Sequence, residues 1–277
     1  LIGPKGKDCI SPAAYSTFSN PRELIEFAAR LRDLSGAKPV GIKLCVGHLH
    51  EVFAVMKAML DSGIYIDFIV VDGAEGGTGA APVEFSNNLG MPLHDGLVIV
   101  RNALVGTGLR DRIRLGASGK VHSGSGISNA IALGADWTNA ARAFMFSIGC
   151  IQSMRCHTGT CPTGVATQDP RRQRGLVVEK KARQVARFHK KTVQAAVDIA
   201  GAASLRCIHD LEPHHLYHRV TSTEARPADR IYPFVTMNQL IEAPDDTPYA
   251  LWWKAAHSDS FNLSVDTANA HRLLAQG

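Results

Sequence analysis

DFIVVDGAEGGTGAAP, residues 67–82, opens as an apolar run, ends that run on an aspartate and passes into a loop in which four of seven residues are glycine. An uninterrupted run of Phe, Ile and Val bounded by turn residues reads as a buried strand. Glycines directly after it let another group approach the backbone closely. The same pattern recurs in RIRLGASGKVHSGSG (112–126) and, more briefly, in DWTNAAR (136–142). With KDCIS (7–11) and PVGIKLC (39–45), five short strands are expected, near 7–11, 39–45, 67–73, 112–118 and 136–141. Amphipathic stretches separate them, which predicts successive parallel βα units and an α/β fold. The first helix has a clear start, with Asn20 as cap, Pro21 in the first turn, and Leu24, Phe27, Ala28, Leu31 and Leu34 as an inward stripe. A doubly wound sheet concentrates its phosphate loop after the first strand, whereas an eight-stranded parallel barrel spreads its site over many strand ends. Glycine-rich loops after several strands favour the barrel.

The 277 residues are 45% apolar and 20% charged, the composition of a globular protein. No apolar run reaches the roughly 18 residues that a membrane helix needs. Three of the six cysteines, Cys9, Cys45 and Cys207, stand singly, which is no disulfide framework, and the cytoplasm is the expected compartment. The formal charge is +5, and the basic residues are scattered except in DPRRQRG (169–175) and VVEKKARQVARFHKK (177–191). The second run has helical spacing and reads as the solvated face of a long helix, about Gly175 to Ala200, with no interleaved aromatics to suggest nucleic-acid binding. In EPHHLYHR (212–219), His214, His215 and His218 have the spacing to place two imidazoles on one helix face, but no carboxylate motif accompanies them. From Arg206 onward the sequence reads as a wrapped extension. A start at Leu1, almost directly into a strand, reads as a piece of a longer polypeptide.

The densest chemistry is in CIQSMRCHTGTCPTG (150–164), where Cys150, Cys156 and Cys161 fall within twelve positions. Zinc sites prefer paired CxxC units and a fourth ligand, whereas a cluster of three irons takes one thiolate per iron. On spacing, an iron-sulfur cluster, zinc, and structural or redox thiols all stay open. Lys43 interrupts an apolar strand, so its ammonium must find an anion, either a structural acid, a substrate carboxylate or the electron-rich edge of a flavin. Glu75 is the charged group within the glycine run and a candidate substrate contact. Ser118 and Gly119 after one strand, and Ala141 and Arg142 after the next, offer amides, a hydroxyl and a guanidinium to a phosphate.

Taken together, DFIVVDGAEGGTGAAP, GLRDRIRLGASG (108–119), IALGADW (131–137) and GCIQSMRCHTGTCPTGVATQDP (149–170) resemble the FMN-binding domain of glutamate synthases, in particular the stand-alone FMN-binding glutamate synthase family, over roughly residues 7–200. The last segment, with GVATQDP after the cysteines, is the most specific.

The resemblance implies the C-terminal part, about strands four to eight, of a (β/α)8 TIM barrel in residues 1–205. This part includes an iron-sulfur loop at 150–168 and is followed by an extension at 206–277. It implies FMN, held by Lys43, Ser118, Gly119, Ala141 and Arg142, and a 3Fe-4S cluster on Cys150, Cys156 and Cys161, with Lys43 and Glu75 as catalytic residues. The implied reaction condenses 2-oxoglutarate with ammonia and reduces the resulting 2-iminoglutarate to L-glutamate. Implied partners are an electron donor, either ferredoxin or an NAD(P)H-dependent flavoprotein, and a glutaminase subunit. The same scaffold would also serve a subunit of a related amine-glutamate enzyme such as N-methylglutamate synthase, and the further alternative is an inactive half-barrel fragment that needs a partner. Three positions depart from the large glutamate synthases: Ala74 and Glu75 stand where those have His and Asp, and Lys120 where those have a second glycine.

Overall fold

The computed structural model describes residues 14–76 and 84–263. The expected strand at 7–11 lies outside the described residues. Helix α1 (Pro21–Leu34) starts where the sequence places it, with Asn20 Oδ1 accepting the Glu23 N–H at 2.9 Å and Pro21 in the first turn. Its buried face differs from the expected stripe: Ile25 and Ala28 are buried, whereas Leu31 and Leu34 are 39% and 74% exposed. The last turn is fastened by a polar contact instead, Arg32 donating to the Tyr65 carbonyl at 2.6 Å and to Asp67 at 2.9 Å.

The chain then builds β1 (Gly41–Leu44), α2 (Leu49–Ser62), β2 (Phe68–Asp72), α3 (Leu93–Gly106), β3 (Arg114–Ser118), α4 (Gly124–Ala132) and β4 (Trp137–Asn139). The four strands are all parallel and lie in the order β1-β2-β3-β4. Each βα unit therefore adds its strand beside the previous one, as in a barrel wall, with none of the order reversal of a doubly wound sheet. Side chains alternate accordingly. Ile69, Val71, Leu115 and Ala117 are fully buried in one core with Leu97 and Leu104 of α3 and Ala130 and Ile131 of α4. The other face carries Lys43, Val70, Gly116 and Trp137 in one row and Asp72, Ser118 and Asn139 in the next, toward the strands' C-terminal ends. Gly116 makes this row possible, because a Cβ there would lie 2.6 Å from the Trp137 indole. The fold is thus an α/β barrel segment, and its two rows of inner side chains define where chemistry can occur.

Beyond β4 come α5 (Arg142–Ser147), α6 (Pro170–Gln173) and α7 (Val178–Ala202). Only Ala196 and Ala200 of α7 are buried. Small residues let it approach α4 closely, a Cβ on Gly124 meeting the Ala196 backbone nitrogen at 2.6 Å. The extension forms a hairpin, β5 (Tyr217–Arg219) and β6 (Ala225–Pro227), then α8 (Gln239–Glu242) and α9 (Ala250–Ala255). The helix face expected for His214, His215 and His218 is not formed. A one-turn 3-10 helix at Pro213–His215 is closed by the Leu216 N–H on the Pro213 carbonyl, and His218 then lies on β5 paired with Arg226. Leu240, Tyr249 and Trp252 belong to the same core as Phe53 and Leu104. Buried Asn102 of α3 donates through Nδ2 to the Pro233 carbonyl at 2.7 Å and to Tyr249 Oη at 2.9 Å, so its amide is satisfied by the extension. No helix among the described residues is long and apolar enough to cross a membrane.

Two carboxylates clamp the N-terminal ends of the strands. Asp67 accepts from Arg32 and from the Val40 N–H at 2.7 Å, and Asp136 accepts from Arg110 at 3.0 Å and from the Leu115 N–H at 2.7 Å. Burial works against both charges, but these donors and the neighbouring guanidiniums outweigh it and hold both pKa values below the ordinary aspartate range. Their folded values lie below their unfolded values, so the stabilisation is fully present above about pH 4 and is lost as pH falls through the folded values. Thermal melts from neutral pH downward are therefore expected to lose Tm below about pH 4, and Asp136→Asn is expected to flatten that loss.

At the same end of the sheet, the exposed Cys207 thiol accepts the His209 N–H at 3.5 Å and lies 3.6 Å from His209 Nδ1, while His209 Nε2 donates to the Asp136 carbonyl at 3.0 Å. The backbone N–H and then the imidazole of His209 favour the thiolate, lowering the Cys207 pKa. Iodoacetamide is expected to label Cys207 with a midpoint below the ordinary thiol value of about 8.5, and His209→Ala to move that midpoint upward, as read by mass spectrometry of the Cys207 peptide.

Candidate active site and cysteine loop

The C-terminal ends of the four strands bring together residues that lie far apart in the sequence. Lys43 Nζ is 2.6 Å from Asp72 Oδ2, and the Ala74 N–H donates to Asp72 Oδ1 at 3.1 Å. The cation in the apolar strand therefore has an acidic partner one strand away, on the inner face. Glu75 is 3.5 Å from Lys120 Nζ, which also donates to Asn87 Oδ1 at 2.6 Å. The Glu75 carboxylate lies over the Gly119 backbone, where a Cβ would be 2.7 Å from Oε2. Gly119 at φ 155° and Lys120 at φ 44° give this loop a backbone that ordinary side chains rarely adopt, as does Ala74 at φ 50°. Such conformations are held only where the surroundings fix them. Ser118 is the last residue of β3, and its carbonyl accepts the Gly73 N–H at 2.8 Å, locking the two glycine loops together.

Ala141 precedes α5 and Arg142 begins it, with Arg142 Nη2 3.3 Å from the position of a Cβ on Gly76. The rim thus holds three cations, Lys43, Lys120 and Arg142, against two carboxylates, Asp72 and Glu75. It can orient an anionic molecule of several charged groups. Asp72 and Asn139 were not singled out from the sequence. Their signal is positional, each being the last residue of a strand in the row that also holds Ser118. His94, at the start of α3, was likewise missed. Burial, and then His218 with its ring centroid 6.1 Å away, keep its pKa below the ordinary histidine value, with Glu75 opposing them.

Arg142 also connects the rim to the cysteines. After α5 the chain turns at Gly149, φ 106°, and again at Gln152 and Met154, both at φ 55°. Cys150, Cys156 and Cys161 line one cavity of about 210 Å³ with Arg142, Met145 and Val165. Cys161 is buried and its Sγ lies 3.5 Å from Thr163 Oγ1. Burial pushes its pKa up, but the Thr163 hydroxyl and the N–H groups of Ala166, Thr163 and Val165 outweigh that and bring it to about 7. These donors favour the thiolate form of Cys161. Among the described residues no three His, Cys, Asp or Glu side chains converge on a point that could hold a single ion. A mononuclear zinc site would need all donors within about 2.3 Å of one atom.

A mutant flavocytochrome b2 with pyruvate bound overlaps 67% of this chain and 36% of its own length at a TM-score of 0.39 and 15% identity, a likeness too remote to bear on chemistry. The glutamate synthase large subunit-like protein YerD of Bacillus subtilis (strain 168) is 41% identical over 232 residues, covering 83% of this chain and 44% of YerD. The archaeal glutamate synthase [NADPH] of Methanocaldococcus jannaschii is 35% identical over 209 residues, covering 75% of this chain and 40% of that protein. The chain therefore spans less than half the length of these relatives. The conserved region in glutamate synthase matches residues 2–206, and the chain belongs to that family.

Proposed function

We propose that this chain is the flavin- and cluster-bearing part of a glutamate synthase that reduces 2-iminoglutarate, formed from 2-oxoglutarate and ammonia, to L-glutamate. FMN would supply hydride transfer and a 3Fe-4S cluster single-electron relay. Cys150, Cys156 and Cys161 would hold the cluster. Ser118, Gly119, Ala141 and Arg142 would hold the flavin phosphate through backbone amides, a hydroxyl and a guanidinium. Lys43, fixed by Asp72 at 2.6 Å, would place a cation against the flavin ring or a substrate carboxylate without reorganising during the reaction. Glu75, pinned by Lys120, would face the substrate from the glycine loop. Water is expelled when the dicarboxylate fills the rim, which strengthens each of these charge contacts. The observation that supports this reading is the cavity shared by Arg142 and the three thiols, beside a rim of paired charges, Lys43 with Asp72 and Lys120 with Glu75.

Reconstitution with iron, sulfide and FMN, followed by metal and flavin analysis and then by product analysis with 2-oxoglutarate and ammonia, tests it. About three irons and one flavin per chain with glutamate as product are expected. A protein that takes up neither group overturns the reading, and turnover with methylamine but not ammonia moves it to the amine-glutamate enzymes. Lys43→Met is expected to lower kcat/KM about 10²–10³-fold, as loss of a positioned charge does.

A further inference from the structure

Cys207 and His209 form a reactive pair at the opposite end of the strands from the rim. The thiol is exposed, and its Sγ lies 3.6 Å from His209 Nδ1. The other ring nitrogen, Nε2, donates to the Asp136 carbonyl at 3.0 Å, which fixes the proton of the neutral ring on Nε2 and leaves Nδ1 as the base facing the sulfur. Nucleophile, base and a group that orients the base are thus connected in sequence, the arrangement that activates a thiol. The His209 N–H lowers the Cys207 pKa and the Asp136 carbonyl raises that of His209, both in favour of a thiolate–imidazolium pair, with Asp210 opposing at the sulfur. The pair also borders open space. His209 lines a cavity of about 520 Å³ with Arg101, Arg110, Arg114, Asp111 and Glu212. Arg101 is held by stacking on Phe234, its Cζ 4.7 Å from the ring centroid, whereas the Arg114 side chain is 68% exposed. Guanidiniums and carboxylates in one cavity match a molecule that itself carries carboxylates and ammonium groups.

We propose that Cys207 is a thiol–disulfide exchange site for a small zwitterionic disulfide built from amino acids, seated in the cavity beside His209. The Cys207 thiolate attacks one sulfur of that disulfide. The S–S bond of the small molecule breaks, and a new S–S bond joins Cys207 to one half of it. The other half leaves as a thiolate and takes the proton held by His209. Cys207 is oxidised and the leaving sulfur is reduced, so the disulfide is itself the oxidant and no other co-reactant is needed. A disulfide suits the pair because a thiolate attacks its sulfur directly, without the oxyanion donors that an acyl substrate requires. Cys45 and the cysteine loop lie toward the C-terminal ends of the strands, so the mixed disulfide, and not an internal bridge, is the product.

The test incubates the chain with oxidised glutathione and follows the peptides of Cys207 and Cys45, two exposed thiols, by mass spectrometry. At about pH 7, Cys207 is expected to form the mixed disulfide about tenfold or more faster than Cys45, and reducing agent to reverse it. His209→Gln is expected to slow Cys207 about three- to tenfold, because the gain in thiolate is partly offset by its lower nucleophilicity, and to leave Cys45 unchanged. Bis(2-hydroxyethyl) disulfide, which carries no charge, separates the cavity from the thiol. Arg101→Gln and Arg114→Gln are each expected to slow the reaction of Cys207 with oxidised glutathione about threefold or more and to leave its reaction with the uncharged disulfide unchanged. Circular dichroism and Tm establish that each variant folds, and Arg114, being exposed, can be replaced without opening the core. Equal rates at Cys207 and Cys45, a Cys207 rate indifferent to His209→Gln, or arginine variants that slow both disulfides alike each overturns the proposal. None of these measurements reads bound flavin or iron, so a chain that takes up neither group refutes the proposed function and leaves the exchange site standing.

Discussion

Serine in place of Cys161 is expected to leave the reconstituted protein with about a tenth or less of its iron and acid-labile sulfide, and to reduce electron delivery to the flavin correspondingly. A hydroxyl is a much poorer soft-metal ligand than a thiolate. This position would be hit hardest of the three, because Cys161 is the buried one and its sulfur already sits among the N–H groups of Ala166, Thr163 and Val165. Cys150→Ser and Cys156→Ser, at half-buried positions, should also lose iron, to a smaller extent. Cys45→Ser and Cys207→Ser, which remove thiols outside the shared cavity, should keep full iron content. Thr163→Val removes the hydroxyl beside Cys161 and is expected to fall between, retaining iron but binding it more weakly. Iron and sulfide per chain measured across these variants would reject the assignment if Cys161→Ser and Cys45→Ser behaved alike.

The second large effect concerns stability. Phe53 is fully buried on α2, its ring centroid 5.6 Å from that of Tyr249 and 5.9 Å from that of Trp253. Phe53→Ala removes the aromatic body that joins the barrel segment to the extension, and a buried Phe-to-Ala change costs about 3–5 kcal/mol. At about 2–4 °C per kcal/mol for a chain of this size, Tm is expected to fall by roughly 10 °C. Limited proteolysis should then cut between Arg206 and Trp252 sooner than in the parent. An unchanged Tm would show that the extension is not bound through this ring. Phe53→Leu, which keeps most of the volume, should recover most of the loss.

The strands at 39–45, 67–73, 112–118 and 136–141 were legible because each couples an apolar run to turn residues at the end where the next loop begins. Their parallel order followed from the helical stretches between them. The buried face of α1 was less legible. Hydrophobic spacing alone counted Leu31 and Leu34 inward, whereas Arg32 anchors the last turn through Tyr65 and Asp67, partners that periodicity does not show. The histidines of EPHHLYHR were misread for a similar reason, a hairpin partner at Arg226 overriding local helical spacing. At the rim, Lys43 could be singled out as a charge out of place, but Asp72 could not, because an aspartate ending a strand before a glycine also reads as a turn residue. Register across strands made it significant, and register is set by packing between segments.

The contacts of Asn102 have a kinetic consequence. Its amide meets Pro233 and Tyr249 across sequence separations of 131 and 147 residues. Contacts so distant along the chain form slowly, because a long loop must close before they give any return. During synthesis, the outer side of α3 has no cover until the chain through Tyr249 has left the ribosome. A nascent chain stopped before that point presents a half-finished apolar surface and an unsatisfied buried amide, the features by which chaperones and proteases select their clients. The segment around Tyr249 is thus made well after the helices α2 and α3 whose core it closes.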